Sequence, residues 1–108
     1  MASSHEFVQY VCDQLSDAGA VTYKRMFGEF GVYLNGKFFA TVENDQFCLK
    51  ITEAGRALLG EAATVIEPHE GARYFYVENL DDRVFLAELA RATCDALPAP
   101  KPKKKKGV

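Results

Sequence analysis

Residues 21–51 read VTYKRMFGEFGVYLNGKFFATVENDQFCLKI, and the rhythm of this segment dictates the architecture. It is rich in β-branched and aromatic residues and is punctuated by short polar pairs, the pattern of strands joined by tight turns. Asn35-Gly36 is a strong two-residue hairpin signal, because a type I′ turn needs positive φ at both central positions and these residue types tolerate it best. With Asn44-Asp45 as a second two-residue loop, an antiparallel meander follows. The two turns set a register in which Tyr33 faces Phe38, Val42 faces Phe47, Ala40 faces Leu49 and Phe38 faces Ile51. Those seven residues are expected to form one apolar surface. The opposite surface then holds Phe30, Val32, Leu34, Phe39, Thr41, Cys48 and Lys50, which is too apolar to be purely solvated. A helix of the same chain and a dimer partner are equally good covers for it.

The flanks predict helices. Ser3-Ser4-His5-Glu6 has the S-x-x-E form of a capping box, in which serine takes a free backbone N–H and glutamate reaches back to the cap. Phe7, Val8, Val11, Cys12 and Leu15 recur behind it at helical spacing, and Gly19 offers a left-handed stop, so a first helix is expected over about residues 4–18. Thr52 can cap a short helix from Glu53 to Leu59 that Gly60 ends. Thr64-Val65-Ile66 fits either a short strand or a buried connection, with Pro68 to Gly71 as loop. Arg73 to Val77 reads as a fifth strand. Asn79 to Asp82 supply cap and acidic first-turn residues for a last helix carrying Phe85, Leu86, Leu89, Ala90, Cys94 and Leu97 on one side, ended by Pro98. The expected architecture is α+β: an antiparallel meander of about five strands packed with N-terminal, middle and C-terminal helices, over residues 1–97. Residues 98–108, PAPKPKKKKGV, have nothing to bury and are expected to be a disordered tail.

Composition narrows the setting. At 108 residues and 48% hydrophobic content the chain suits one domain with a real core. No apolar run approaches the roughly 20 residues that span a bilayer, and the polar start lacks an export signal. Cys12, Cys48 and Cys94 are odd in number and widely spaced, so reduced thiols in a cytoplasmic setting are expected. Lys101, Lys103, Lys104, Lys105 and Lys106 gather all five tail charges; removing them from the net of −2 leaves −7 for residues 1–97. A body that acidic repels phosphate, so direct nucleic-acid binding is expected only weakly and through these lysines.

The search for chemistry leaves the sequence without a catalytic, cofactor-binding or metal constellation, and no enzyme activity or cofactor is expected. Glu67, His69 and Glu70 are adjacent loop positions, which rarely converge on a metal without a further ligand. Cys48 has Lys50 near it as a thiolate partner, against the alternative of an ordinary strand residue. Asp81 and Asp82 form a carboxylate pair that a helix start explains. Gly28, Gly31 and Gly36 lack the strand-to-helix turn of a phosphate loop. Lys24-Arg25 before Met26-Phe27-Gly28 is the one basic and apolar step in the acidic body, and it is the candidate partner contact.

The run Lys24-Arg25-Met26-Phe27-Gly28-Glu29-Phe30-Gly31-Val32-Tyr33, with Gly36, Phe39-Ala40 and Leu49-Lys50, resembles the TfoX (Sxy) N-terminal domain family over about residues 5–97. The resemblance implies a small fold with helices on an antiparallel sheet, and a link to regulation of natural competence in bacteria. The family's regulators carry a further helical domain and act as coactivators with the cyclic-AMP receptor protein; this chain has the lysine tail at that point. The resemblance brings no catalytic residues. The function expected is therefore a non-enzymatic regulatory or protein-interaction module with protein partners, among them the transcription machinery or a second copy of itself. The alternative is a weak nucleic-acid binder working through the tail.

Overall fold

The computed structural model describes residues 3–26 and 28–98. Six strands form one sheet: β1 (Val21–Met26), β2 (Glu29–Leu34), β3 (Lys37–Glu43), β4 (Gln46–Lys50), β5 (Val65–Ile66) and β6 (Tyr74–Val77). Their order is β1-β2-β3-β4-β6-β5, and every neighbouring pair is antiparallel. The helices are α1 (His5–Gln14), α2 (Glu53–Leu59) and α3 (Arg83–Ala96), with single 3-10 turns at Ser16–Ala18 and Gly60–Ala62. The fold is thus the expected α+β arrangement with one more strand than the five expected. The addition is Val65–Ile66, too short for its alternation to be visible in sequence, and it pairs with Phe75 and Tyr74 at the sheet edge.

Turn chemistry carries the meander. Asn35 and Gly36 sit at φ 51° and 85°, and Asn44 and Asp45 at 58° and 57°, so both hairpins have positive φ at both central positions. Three of the four expected cross-strand pairs form: Tyr33 with Phe38, Val42 with Phe47 and Ala40 with Leu49. The fourth, Phe38 with Ile51, does not, because β4 ends at Lys50 and its pairing with β3 stops at Ala40 with Leu49.

A β-bulge then redistributes the two faces. Val32 pairs with Ala40 and Tyr33 with Phe38, leaving Phe39 as the extra residue of β3. One extra residue breaks the strict alternation of side chains. Phe39 therefore turns to the same side as Ala40 and Val42, and Phe38 turns away. The expected face assignment is corrected accordingly. Phe30, Val32, Leu34 and Phe39 join Ala40, Val42, Phe47 and Leu49 in the buried core, while Tyr33 and Phe38 belong to the other face with Thr41, Cys48 and Lys50.

All three helices cover the core face. Val8 and Val11 of α1 and the adjoining Leu15, with Leu86, Leu89, Ala90 and Cys94 of α3, complete the core over the sheet. The Thr52 and Asp82 side chains cap α2 and α3 as expected, accepting from the N–H groups of Gly55 and Phe85. At α1 the cap is Ser4, which accepts from the Phe7 N–H. Ser3, where the capping box puts the cap, instead accepts from the Asp45 N–H and so ties the chain start to the β3–β4 turn. Polar clasps hold the helices together. Tyr10 donates to Asp81 at 2.9 Å, Gln14 donates to the Leu80 carbonyl at 2.7 Å, and Arg83 donates to Gln14 and Ser16. Lys37 donates to the carbonyls of Cys94 and Leu97 at the end of α3, where helix carbonyls lack the following turn's N–H groups; the Cys94 carbonyl also accepts from the Leu97 N–H. Among the described residues no helix is long and apolar enough to cross a membrane.

Candidate interaction surface

With the helices on one side, the other side of the sheet carries no helix of the described chain. Three rows of side chains cross it. One row runs through Tyr33 and Phe38, continued by Lys50 and Tyr74; the next through Lys24, Gly31, Thr41, Cys48 and Tyr76; the third through Met26, Glu29 and Glu43. The four aromatic residues are half-buried. The middle row is low because Gly31, Thr41 and Cys48 are small and buried among their neighbours. A β-carbon on Gly31 would stand 2.7 Å from the Met26 methyl and 3.1 Å from the Phe38 ring, so glycine is what lets those two side chains close over the strand.

The cations of this face lie on rings. The Lys24 ammonium is 5.5 Å from the centre of the Tyr33 ring, and that of Lys50 is 4.5 Å from Phe38, within the range of a cation–π attraction. The carboxylates gather at the other end. Glu43 is 8% exposed; it accepts from the Thr41 hydroxyl at 3.0 Å and pairs with His69 Nδ1 at 2.8 Å. Glu29 accepts from the backbone N–H groups of Ser3 and Asn44 at 2.9 Å each, a second tie between the chain start and the β3–β4 turn. Between Met26 and His69 a groove of about 390 Å³ opens above Thr41, with Glu29 and Glu43 in its lining.

The sequence candidates separate in space. Lys24 and Arg25 are both exposed on edge strand β1 but point to opposite faces: Lys24 lies over Tyr33, whereas the Arg25 guanidinium lies 4.9 Å from the centre of the core-side Phe30 ring. Met26 packs on Gly31 of the helix-free face, and Gly28 has φ 81° and open space around it. Phe27 lies outside the described residues, as do Lys101, Lys103, Lys104, Lys105 and Lys106. Lys24 to Gly28 is therefore a strand edge with two sides. Sequence reasoning missed Tyr33, Phe38, Lys50, Tyr74, Tyr76 and Glu43 as a single surface, because the bulge at Phe39 decides which side Tyr33 and Phe38 share.

His5 opens α1, hydrogen-bonded with the Tyr23 hydroxyl at 2.8 Å and stacked on Phe30; His69 is an exposed loop residue as expected, and its Nδ1 also reaches Glu43. Glu67 accepts from the Gly71 N–H, away from that pair. Among the described residues no three His, Cys, Asp or Glu side chains gather in a way that could hold a metal. Cys48 is fully buried, and burial pushes its thiol up to about 11, so the neighbouring Lys50 does not create a thiolate. Lys50 instead sits over Phe38. Cys12 is likewise pushed up to about 11 and Cys94 is raised, in each case chiefly by burial. Asp82 caps α3 and Asp81 accepts from Tyr10, which accounts for the carboxylate pair.

A six-stranded antiparallel sheet with all the described helices on one face, a bulged third strand and an aromatic open face defines a class of small α+β domain. The family model that matches this chain, over residues 13–97, is the TfoX N-terminal domain, and the chain belongs to that family. It is also 33% identical over 108 residues to an uncharacterized 12.7 kDa protein in the trpE 5′ region of Spirochaeta aurantia, covering 98% of this chain and 93% of that protein.

Proposed function

We propose that this domain is a non-enzymatic regulatory module that acts through protein–protein contact, as a coregulator of transcription. The observation that carries the reading is the helix-free sheet face, where half-buried aromatics and ring-bound lysines lie beside the exposed edge of β1. Aromatic residues give large contact area at low entropy cost, and an edge strand offers unpaired backbone groups to a partner strand. Membership of the TfoX N-terminal domain family supports a regulatory role. In this reading the partner meets the β1 edge at Lys24, Arg25, Met26 and Gly28, and belongs to the transcription machinery. The five tail lysines give a second reading, a salt-sensitive contact with nucleic acid.

The test is genetic and works whichever protein the partner is. Transcript profiles are compared between the native host, a strain lacking the gene, and a strain carrying Lys24→Glu with Arg25→Glu at unchanged protein level. The reading expects the double reversal to reproduce most of the transcript changes of the deletion. A deletion without transcript changes refutes the regulatory role. A deletion phenotype that the double reversal does not share refutes the β1 edge as the contact.

A further inference from the structure

The helix-free face divides by charge along the strands. At one end the Lys24 and Lys50 ammonium groups rest on Tyr33 of β2 and Phe38 of β3, and neither lysine has a carboxylate partner among the described residues. At the other end Glu29 of β2 and Glu43 of β3 line the groove between Met26 and His69. The low row of Gly31, Thr41 and Cys48 separates the two ends. The cationic and anionic ends therefore use the same two strands, on either side of a line of small residues.

We propose that a second copy of this chain covers this face, related by a two-fold axis that lies between the two sheets and runs across the strands along that small-residue row. A rotation about this axis lays each strand over its own counterpart and reverses its direction. The cationic end of one copy then falls on the anionic end of the other. Lys24, carried above β2, meets Glu29 on β2 of the second copy; Lys50, carried above β3, meets Glu43 on β3 and enters the groove over it. The two-fold makes each pair twice. Gly31, Thr41 and Cys48 keep the central row low on β2, β3 and β4 and allow the sheets to approach there, as in face-to-face packing at about 10 Å, while Tyr76 on β6 meets its own counterpart at the axis.

Charge favours this occupant over a phosphate backbone. A nucleic acid on the two lysines would pass Glu29 and Glu43, which repel phosphate, whereas a second copy offers carboxylates to the lysines and lysines to the carboxylates. The size fits a reversible contact: six strands at about 4.8 Å spacing and about five residues at roughly 3.3 Å give roughly 500 Å² of projected area per copy, in the weak class. The arrangement also brings the two β1 edges side by side, so a partner at Lys24 to Gly28 would be offered two copies of its site. The inference rests on the reading of this face as a contact surface and is independent of the transcriptional role.

The test is sedimentation equilibrium of the pure full chain from about 1 to about 300 µM, the range where a contact of this size is populated. It is combined with zero-length carbodiimide cross-linking of an equal mixture of ¹⁴N and ¹⁵N protein. Wild type should show a reversible monomer–dimer equilibrium, with mixed-isotope cross-links joining Lys50 to Glu43 and Lys24 to Glu29. Lys24→Glu with Lys50→Glu should weaken the dimer about a hundredfold or more, since like charges then face each other. Lys24 is exposed and Lys50 half-buried on this face, outside the core, so the circular dichroism spectrum should be unchanged. Arg25→Glu, on the opposite face, should leave the dimer intact. A monomer throughout, a dimer indifferent to the double reversal, or mixed-isotope cross-links confined to other surfaces overturns the proposal. If the protein is monomeric and the transcript test still succeeds, this inference fails and the proposed function stands.

Discussion

Phe38 and Phe39 are neighbours in sequence and chemically identical, and the bulge gives them opposite surroundings. Phe39 is 0% exposed and sits against Phe47 in the core, with ring centres 6.4 Å apart. Phe38 is half-buried on the helix-free face, between Tyr33 and the Lys50 ammonium. Truncating Phe39 to alanine removes roughly 150 Å² of buried apolar surface, about 4 kcal/mol at about 25 cal/mol per Å², and leaves a cavity enclosed by α3 and the sheet. Truncating Phe38 removes less buried area and leaves no enclosed cavity, so about 1–1.5 kcal/mol is expected. Urea unfolding of the two single variants below the dimer range, with equal m-values, measures the difference directly. A Phe38→Ala loss equal to or larger than that of Phe39→Ala would mean that the bulge is misplaced, and the assignment of both faces would fall with it.

Other outcomes follow from the same structure. The Thr93 hydroxyl is buried with no hydrogen-bond partner among the described residues and faces the space that Gly55 leaves open; Thr93→Val should raise stability by about 1 kcal/mol, seen as a higher melting temperature. A lower one would show that the hydroxyl has a partner. Asp82→Ala removes the acceptor for the Phe85 N–H and should cost about 1 kcal/mol in the same assay; no loss would show that Asp82 does not cap α3. Cys12 and Cys48 carry folded-state thiols at about 11, above the unfolded value of roughly 8.5. Between those values the unfolded chain has lost protons that the folded chain keeps, so stability should hold up to about pH 8.5 and fall as the pH rises toward about 11. Denaturant titrations across that range test the sign, and Cys48→Ser should make the fall shallower; a rise would contradict the burial of these thiols.

Much of the fold was legible because its instructions are local. Asn35-Gly36 and Asn44-Asp45 mark both turns by backbone conformation alone, and Thr52 and Asp82 mark two helix starts by hydrogen-bond chemistry. Ser3 and Ser4 are interchangeable as caps by type, and the Asp45 N–H that engages Ser3 leaves Ser4 to begin α1. The face assignment was not legible, because a bulge inserts one residue without any distinctive residue type. Phe38 and Phe39 are equally good on either side by composition, and tertiary packing of Phe39 against Phe47 decides between them. Thr64-Val65-Ile66 stays open between strand and connection in the sequence for a related reason: two residues carry no periodicity, and Val65–Ile66 is a strand because β6 presents an edge to it. The candidate site was half visible. Lys24 and Arg25 stood out as charges in an acidic body, but Glu43 and His69 are 26 residues apart and meet only when the loop before β6 folds onto β3.

Hydroxyl-radical footprinting of the aromatic rings, read by mass spectrometry at low and high protein concentration, separates the core face from the contact face without any substitution. The bulged register predicts strong labelling of Tyr33, Phe38, Tyr74 and Tyr76 in dilute protein, near-silence at Phe39, Phe47 and Phe75, and loss of the Tyr33 and Phe38 signals as concentration rises. Labelling of Phe39 together with protection of Phe38 in dilute protein would contradict it, because the face assigned to contact would then be the core.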